Sequence, residues 1–248
     1  MAFIGMVGKD LFGEFMCQSL ESYGIEISGI KETNGTQTGI SVILTGSNDR
    51  AILTYPGTIP LLEYGDIDLD IIQQARHLHV GSYFIQEKLR RSLPVLFDQA
   101  HSWGMSVSLD TNYDPTNLWD GGLFELLSKV DVFLPNAVEC RGIARASTLE
   151  QAIDCLEKKV IYLGIKLGKD GAILAHNSKK YTLKPIEVDV IDTVGAGDSF
   201  DAGFIYGFLN GWVPERILKL AIICGSLSTQ KTGGTKAQPT LNEAMGYM

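Results

Sequence analysis

The chain has 248 residues, of which 45% are hydrophobic and 20% charged, and a net charge of −8. That composition excludes a disordered chain and is ample for a sizeable α/β core. Its 21 Lys and Arg are scattered and outnumbered by 29 Asp and Glu, which excludes a nucleic-acid partner, because neutralising phosphates takes clustered cations.

The chain opens on Ala2 to Val7, an apolar run that reads as a buried strand. Asp10 then caps a helix whose apolar face is traced by Leu11, Phe12, Phe15, Met16, Leu20 and Tyr23, and Gly24 stops it. Met1 to Gly8 lacks the basic leader of a signal peptide, and no apolar run approaches the ~20 residues of a membrane span. A cytoplasmic protein with no membrane partner is expected. Ile25 to Ile30, Thr38 to Leu44 and Ala51 to Tyr55 are short strand candidates, separated by turns at Asn34-Gly35 and Gly46-Ser47-Asn48-Asp49. Their polar alternation predicts a small antiparallel lid over about 26–57, inserted in a single domain spanning 1–248.

From Asp66 a β-α rhythm sets in. The pattern predicts a helix to Arg76, a strand at His77 to Val80, a helix at Glu87 to Trp103 broken near Pro94, and a strand at Ser106 to Asp110. His77 and His79 alternate along their strand with no acidic or cysteine partner at ligand spacing, so they read as packing. Next come a helix near Phe124 to Ser128, a strand at Asp131 to Leu134, a helix after Asn136, another over Leu149 to Lys158, and a strand at Val160 to Lys166. Gly168 to Gly171 turns the chain into Ala172 to His176, a hairpin follows, and Ile186 to Ile191 reads as a strand entering Asp192-Thr193-Val194-Gly195-Ala196-Gly197-Asp198-Ser199-Phe200. Phe200, Phe204 and Phe208 recur at helical spacing beyond it. The alternation predicts an α/β fold with a doubly wound, mostly parallel sheet. Cys17, Cys140, Cys155 and Cys224 are too dispersed for a zinc ribbon or a disulfide framework.

In such sheets ligands gather at the C-terminal ends of strands. Those ends carry Asp110-Thr111-Asn112, Pro135-Asn136 with Glu139 one turn on, Lys166-Leu167-Gly168, and the Asp192 to Asp198 turn. Glycines at 195 and 197 leave bare N–H groups at a helix N-terminus, an anion cradle, and Asp198 adds a carboxylate that can take a proton. Asp198 could instead simply cap the helix. Carboxylates, an amide and a cradle make an inventory for phosphoryl transfer. Asp198 would accept the proton of an attacking hydroxyl, and the amides of Gly195, Ala196 and Gly197 would hold the developing charge. Asn136 and Glu139 could hold a hydrated Mg²⁺, or could be a capping box and no more. No P-loop motif is present, and no Gly-x-Gly-x-x-Gly follows the first strand, so neither a P-loop ATPase nor a dinucleotide dehydrogenase fits.

Gly195-Ala196-Gly197-Asp198-Ser199-Phe200, followed by Ala202-Gly203-Phe204, resembles the C-terminal signature of the ribokinase-like carbohydrate kinases, the PfkB family, and Asn136-x-x-Glu139 is similar to that family's Asn-x-x-Glu motif. The resemblance covers essentially the whole chain. It implies ATP as phosphoryl donor, Mg²⁺ as cofactor, and a sugar-like substrate. It also implies a nucleotide side containing Lys166, Gly168 and Gly171, with Cys224, Gly225 and Ser228 near the base. Asp192 and the Val194 carbonyl match positions for a potassium-like monovalent cation, and Lys231 with Gly233 falls where further ligands or loop contacts sit in the family. Asp110-Thr111-Asn112-Tyr113-Asp114 resembles an Asp-x-Asn-x-Arg stretch of members acting on sugar acids, with Asp114 where Arg would stand; Asp110 and Asn112, with Ser82 and Tyr83, are thus expected at the substrate. The lid implies closure over the substrate and a homodimer contact.

The resemblance starts at Met1 with a segment that members usually reach only after a first strand, a lid strand and a Gly-Gly-x-x-x-Asn motif. Expectation therefore includes a chain short at its N-terminus. Two other functions stay open: a nucleoside kinase of the same fold, and a nucleotide-binding protein without turnover.

Overall fold

A computed structural model describes residues 1–45 and 50–248. The predicted turn at Gly46 to Asp49 lies outside them. The contacts of the chain fall into two compact units, residues 1–78 with 82–105, and residues 79–81 with 106–248.

In the first unit β1 (Gly5–Gly8) leads into α1 (Leu11–Ser22), as the sequence predicts. Asp10 caps α1 by accepting from the amides of Phe12 and Gly13, and Gly24 follows in the left-handed conformation at φ 71°. β2 (Ile30–Thr33) then lies parallel to β1, Gly5 opposite Ile30. This corrects one expectation: the strand expected at Ile25 to Ile30 lies instead at Ile30–Thr33, and it is not a lid strand but the return arm of a β-α-β unit, which a helical crossover makes parallel. Only β3 (Ile40–Thr45) and β4 (Arg50–Tyr55) form the antiparallel hairpin, Ile40 opposite Tyr55. After α2 (Leu69–Gln73) and β5 (His77–Val80), the helix expected to break near Pro94 is indeed two, α3 (Glu87–Arg90) and α4 (Leu93–Ser102), with Pro94 in the first turn of α4. Proline has no N–H for an interior helical bond, so the chain restarts there.

The second unit comprises β6 (Ser106–Leu109), α5 (Leu123–Leu126), β7 (Val132–Phe133), α6 (Ala137–Ala144), α7 (Leu149–Leu156), β8 (Tyr162–Lys166), β9 (Ala172–His176), β10 (Lys179–Leu183), α8 (Ala196–Leu209), α9 (Pro214–Leu227) and α10 (Leu241–Met245). Its sheet runs β10-β9-β8-β7-β6-β5. β6, β7 and β8 are parallel, while β9 and β10 extend the sheet antiparallel through a hairpin whose Asn177 and Ser178 both have positive φ. Phe200 and Phe204 of α8 pack with Ile217, Leu218 and Ala221 of α9 over Val132, Leu134 and Leu174, all buried. α8 and α9 approach closely because α8 presents glycine: a Cβ on Gly203 would sit 3.0 Å from Ala221 Cα and from the Cys224 sulfur. Ile186 to Ile191 is a further correction, for it joins no ladder, and the amides of Ile191 and Asp192 both donate to the Thr229 carbonyl just past α9. Apolar content mimicked a strand here, yet Val190 and Ile191 are exposed.

Candidate active site

The turn before α8 is built around backbone rather than side chains. Gly195 is the N-cap residue at φ 74°, and a Cβ there would come within 2.5 Å of the Gly234 carbonyl oxygen, so glycine is required twice over. No side chain caps the helix. Ala196 donates to the Thr193 carbonyl at 3.3 Å, while no group among the described residues accepts from the amides of Gly195, Gly197 or Asp198. The bare donors of the helix N-terminus are thus those of Gly195, Gly197 and Asp198, one residue displaced from the expected set, because Ala196 turns back on its own loop. The loop is fixed from below by Asp192, whose carboxylate accepts from the Val194 amide at 3.0 Å and the Gly233 amide at 2.9 Å.

Asp198, in the first turn of α8, is exposed, so a substrate can reach it. Protein crowds its other side. Burial of that part, and then the negative charge of Asp110, push its carboxyl above the ordinary value, against an opposing pull from Lys166. Ser199, next along, has a buried hydroxyl with no hydrogen-bond partner among the described residues.

Under this turn lies a buried ionic cluster. Lys166, the last residue of β8, places its Nζ 2.8 Å from Asp110 Oδ2 at the end of β6 and 3.1 Å from Asp201 Oδ1 in α8. The sequence assigned Lys166 to the nucleotide and Asp110 to the substrate; the structure gives them to each other. Burial is the largest influence on Asp110 and pushes its carboxyl up, but the Lys166 charge and hydrogen bonds from Asp201, Lys166 and the Asn112 amide outweigh it and leave it below the ordinary value. Asp201 goes the other way: burial, then the adjoining Asp110, hold it well above. Lys166 is held above its ordinary value despite burial, by the two carboxylates that receive it. Asp201 was not foreseen. The signal was available: a carboxylate in a run of Phe, Ala and Gly, three residues from Asp198 and on its side of the helix.

Beside this cluster α6 begins at Asn136, whose backbone bridges Lys166. The Asn136 Oδ1 accepts from the Val138 and Glu139 amides, and Glu139 accepts from the Asn136 amide at 2.8 Å, a complete capping box. Glu139 is 3% exposed, and burial together with Asp110 raises its carboxyl to about 7. Capping alone does not ask for a carboxyl so disfavoured in its charged form. On β5, His79 Nδ1 lies 2.8 Å from the Ser108 hydroxyl, which accounts for it without a metal.

The remaining expected residues are held by packing. Gly171, at φ 95°, faces the Leu183 carbonyl oxygen so closely that a Cβ would lie 2.0 Å from it, whereas around Gly168, at φ 59°, there is open space. Cys224 is packed between α8 and α9, where burial raises its thiol to about 11; a Cβ on Gly225 would meet the Ala196 carbonyl at 3.2 Å; and the buried Ser228 donates to the Gly225 carbonyl. Asn112 has positive φ, its amide donating to Asp110. Asp114, where Arg would stand, is buried and accepts from the Thr116 amide and hydroxyl and the Trp119 amide, organising its own loop. Ser82 and Tyr83 belong to the first unit; Ser82 has positive φ, and the Tyr83 ring is buried against Phe84 with the Arg90 guanidinium 5.7 Å from its centroid.

With this geometry stand three comparisons. The model of the pfkB family carbohydrate kinases matches residues 1–241. A relative from Archaeoglobus fulgidus, described as an uncharacterized sugar kinase, is 27% identical over 96% of this chain and 94% of its own length. Among solved structures, a fructokinase with bound ATP from Xylella fastidiosa superposes with a TM-score of 0.88 at 22% identity, covering 99% of this chain and 84% of that one. A fructokinase double mutant from Vibrio cholerae, holding fructose, ADP and potassium ion, gives 0.85 at 23% identity over 99% and 84%. Both have the ribokinase-like fold found here. The chain belongs to the pfkB family of carbohydrate kinases.

Proposed function

We propose that this pfkB family member transfers the γ-phosphoryl group of ATP to a hydroxyl of a sugar or sugar derivative. The observation that carries the reading is the uncapped N-terminus of α8, with bare amides at Gly195, Gly197 and Asp198 beside an accessible carboxylate. Those amides receive the negative charge of the moving phosphoryl group, and Asp198 takes the proton of the attacking hydroxyl. A carboxylate whose proton affinity is raised from its ordinary value is a better proton acceptor. Asn136 and Glu139 fit a hydrated Mg²⁺, since their oxygens are the hard donors it prefers and a cation would offset the charge that burial disfavours on Glu139. Mg²⁺ held there would neutralise nucleotide phosphate charge. Asp192 and the Val194 carbonyl are the proposed ligands of a monovalent cation, in the loop already tied to Gly233. Gly168, with open space at its α-carbon, lies on the nucleotide side, and the end of α9 around Ser228 is assigned to the base.

Asp114 is committed to its own loop and offers no guanidinium to a carboxylate, so neutral hydroxyl substrates are expected ahead of sugar acids. The apolar outer positions of the β3–β4 hairpin, Val42, Leu44, Ile52 and Leu53, are read as a lid that also pairs two copies. Among the described residues no helix is long and apolar enough to cross a membrane. ADP release across ketoses, aldoses, sugar acids and nucleosides tests the reading. Release that depends on one class of neutral sugar, and rises when potassium replaces a bulky organic cation, is the expected result. Release that depends on a nucleoside would transfer the same chemistry to a nucleoside kinase, and no acceptor-dependent release at all would refute it.

A further inference from the structure

The Asp110–Lys166–Asp201 cluster has more in it than fold stability requires. Three carboxylate oxygens face the Lys166 ammonium, Asp110 Oδ2 at 2.8 Å and the two oxygens of Asp201 at 3.1 and 3.3 Å, so two carboxylates hold one cation. Buried ion triads of this kind are often replaceable by apolar residues without loss of stability, so their presence calls for another reason. Gly197 supplies one. A Cβ built there would meet no protein atom within 4 Å except the Lys166 side chain, Nζ at 3.7 Å and Cδ at 3.9 Å. Packing therefore tolerates a side chain at 197, and what the glycine keeps open is the space between its backbone and the ammonium. That space adjoins the bare amides of Gly197 and Asp198.

We infer that Lys166 is a catalytic residue that reaches the transferred phosphoryl group from beneath the Gly197 turn, and that Asp201 is the positioning residue that, with Asp110, holds its ammonium there. The inference rests on the kinase reading above. Asp110 fixes the ammonium from the end of β6 and Asp201 from within α8, so the charge is locked to the same helix that carries the amides and Asp198. The site thus meets the phosphoryl group with a formal positive charge as well as with dipoles. Asp110 has its carboxylate engaged by Lys166 and by the Asn112 amide and so serves as a partner of the lysine.

The probes are ADP and the non-hydrolysable ATP analogue with nitrogen between the β- and γ-phosphates, both with Mg²⁺, titrated against the full chain by calorimetry. The wild type should bind both. Lys166→Met should weaken the triphosphate analogue by about tenfold or more, the loss of one charge-assisted contact, and leave ADP within about twofold. Lys166→Met strands two buried carboxylates, so the triple variant Lys166→Met with Asp110→Asn and Asp201→Asn provides the same test without an unpaired charge. Asp201→Asn should show the same selectivity between the two nucleotides at smaller amplitude, and with an accepted sugar should lower kcat while leaving the sugar KM in place. Equal losses for ADP and analogue, or no loss in either, in variants that remain folded would overturn the role of Lys166. An Asp201→Asn protein with wild-type selectivity and kcat would overturn that of Asp201. A wild type that binds neither nucleotide would instead remove the kinase reading, and this inference with it.

Discussion

The first unit and the second use the same apolar patterning to different ends. In the second, the helical repeat of Phe200 and Phe204 is fully enclosed, Phe204 and Leu218 at 0% exposure. In the first, α1 carries an equally regular apolar repeat, yet Leu11 is 75%, Phe12 53% and Phe15 68% exposed, and the hairpin residues Val42, Ile52 and Leu53 are all above half. Periodicity says that a face wants a cover, not what supplies it. Exposed apolar faces of this extent leave their periodicity without a cover in the chain itself, whereas the enclosed α8–α9 pair is a rigid seat for the Gly195 turn.

The sharpest way to break this contrast is at the turn itself. Asp198→Asn should lower kcat by about 10²–10⁴-fold, the usual worth of a general base, without altering the melting temperature much. Next in size is the core beneath it. Phe204→Ala should destabilise the chain by about 3–5 kcal/mol in urea titration, since its ring is enclosed on all sides. Glu139 gives a pH signature. Its carboxyl is pushed up to about 7 in the fold from an ordinary value of 4.5, so the folded chain keeps a proton that the unfolded chain releases. Its contribution is complete below the unfolded value and is lost as pH climbs toward the folded one, on the order of 1–3 kcal/mol without Mg²⁺. Glu139→Gln, which retains an acceptor for the Asn136 amide, should flatten that slope. Gly195→Ala should cost roughly 1–2 kcal/mol from the left-handed backbone alone, with more from the Gly234 carbonyl in its path. At the small end, Phe15→Ala should change stability by no more than about 0.5 kcal/mol; a loss as large as that of Phe204→Ala would mean that α1 is covered in solution.

Much of this was legible because local chemistry decided it. Asp10 as a cap, Pro94 as a restart, the Asn136–Glu139 box and the Gly195 turn each rest on interactions within a few residues, and those expectations match the structure. What escaped depends on partners far along the chain. Ile186 to Ile191 has strand composition, but its course is set by Thr229; β2 has lid-like alternation, but β1 claims it in parallel. Lys166 and Asp110 were assigned to nucleotide and substrate by resemblance, and their hydrogen bond across 56 residues of chain was not legible in either segment. Gly203 is small for the sake of the α8–α9 contact, with Ala221 and Cys224 of α9 against it, a pairing no motif displays.

The central claim is that the Gly195–Asp198 turn delivers a phosphoryl group to a hydroxyl activated by Asp198. The most direct test follows the γ-phosphoryl of ATP, labelled with heavy oxygen, by mass spectrometry in a single turnover with the best sugar from the panel. Wild-type protein should pass the labelled group to the sugar, and Asp198→Asn, while binding the non-hydrolysable triphosphate as tightly as wild type, should form product at least about a hundredfold more slowly. Labelled sugar phosphate formed by Asp198→Asn at the wild-type rate, or label released only as inorganic phosphate whether or not sugar is present, would contradict the account.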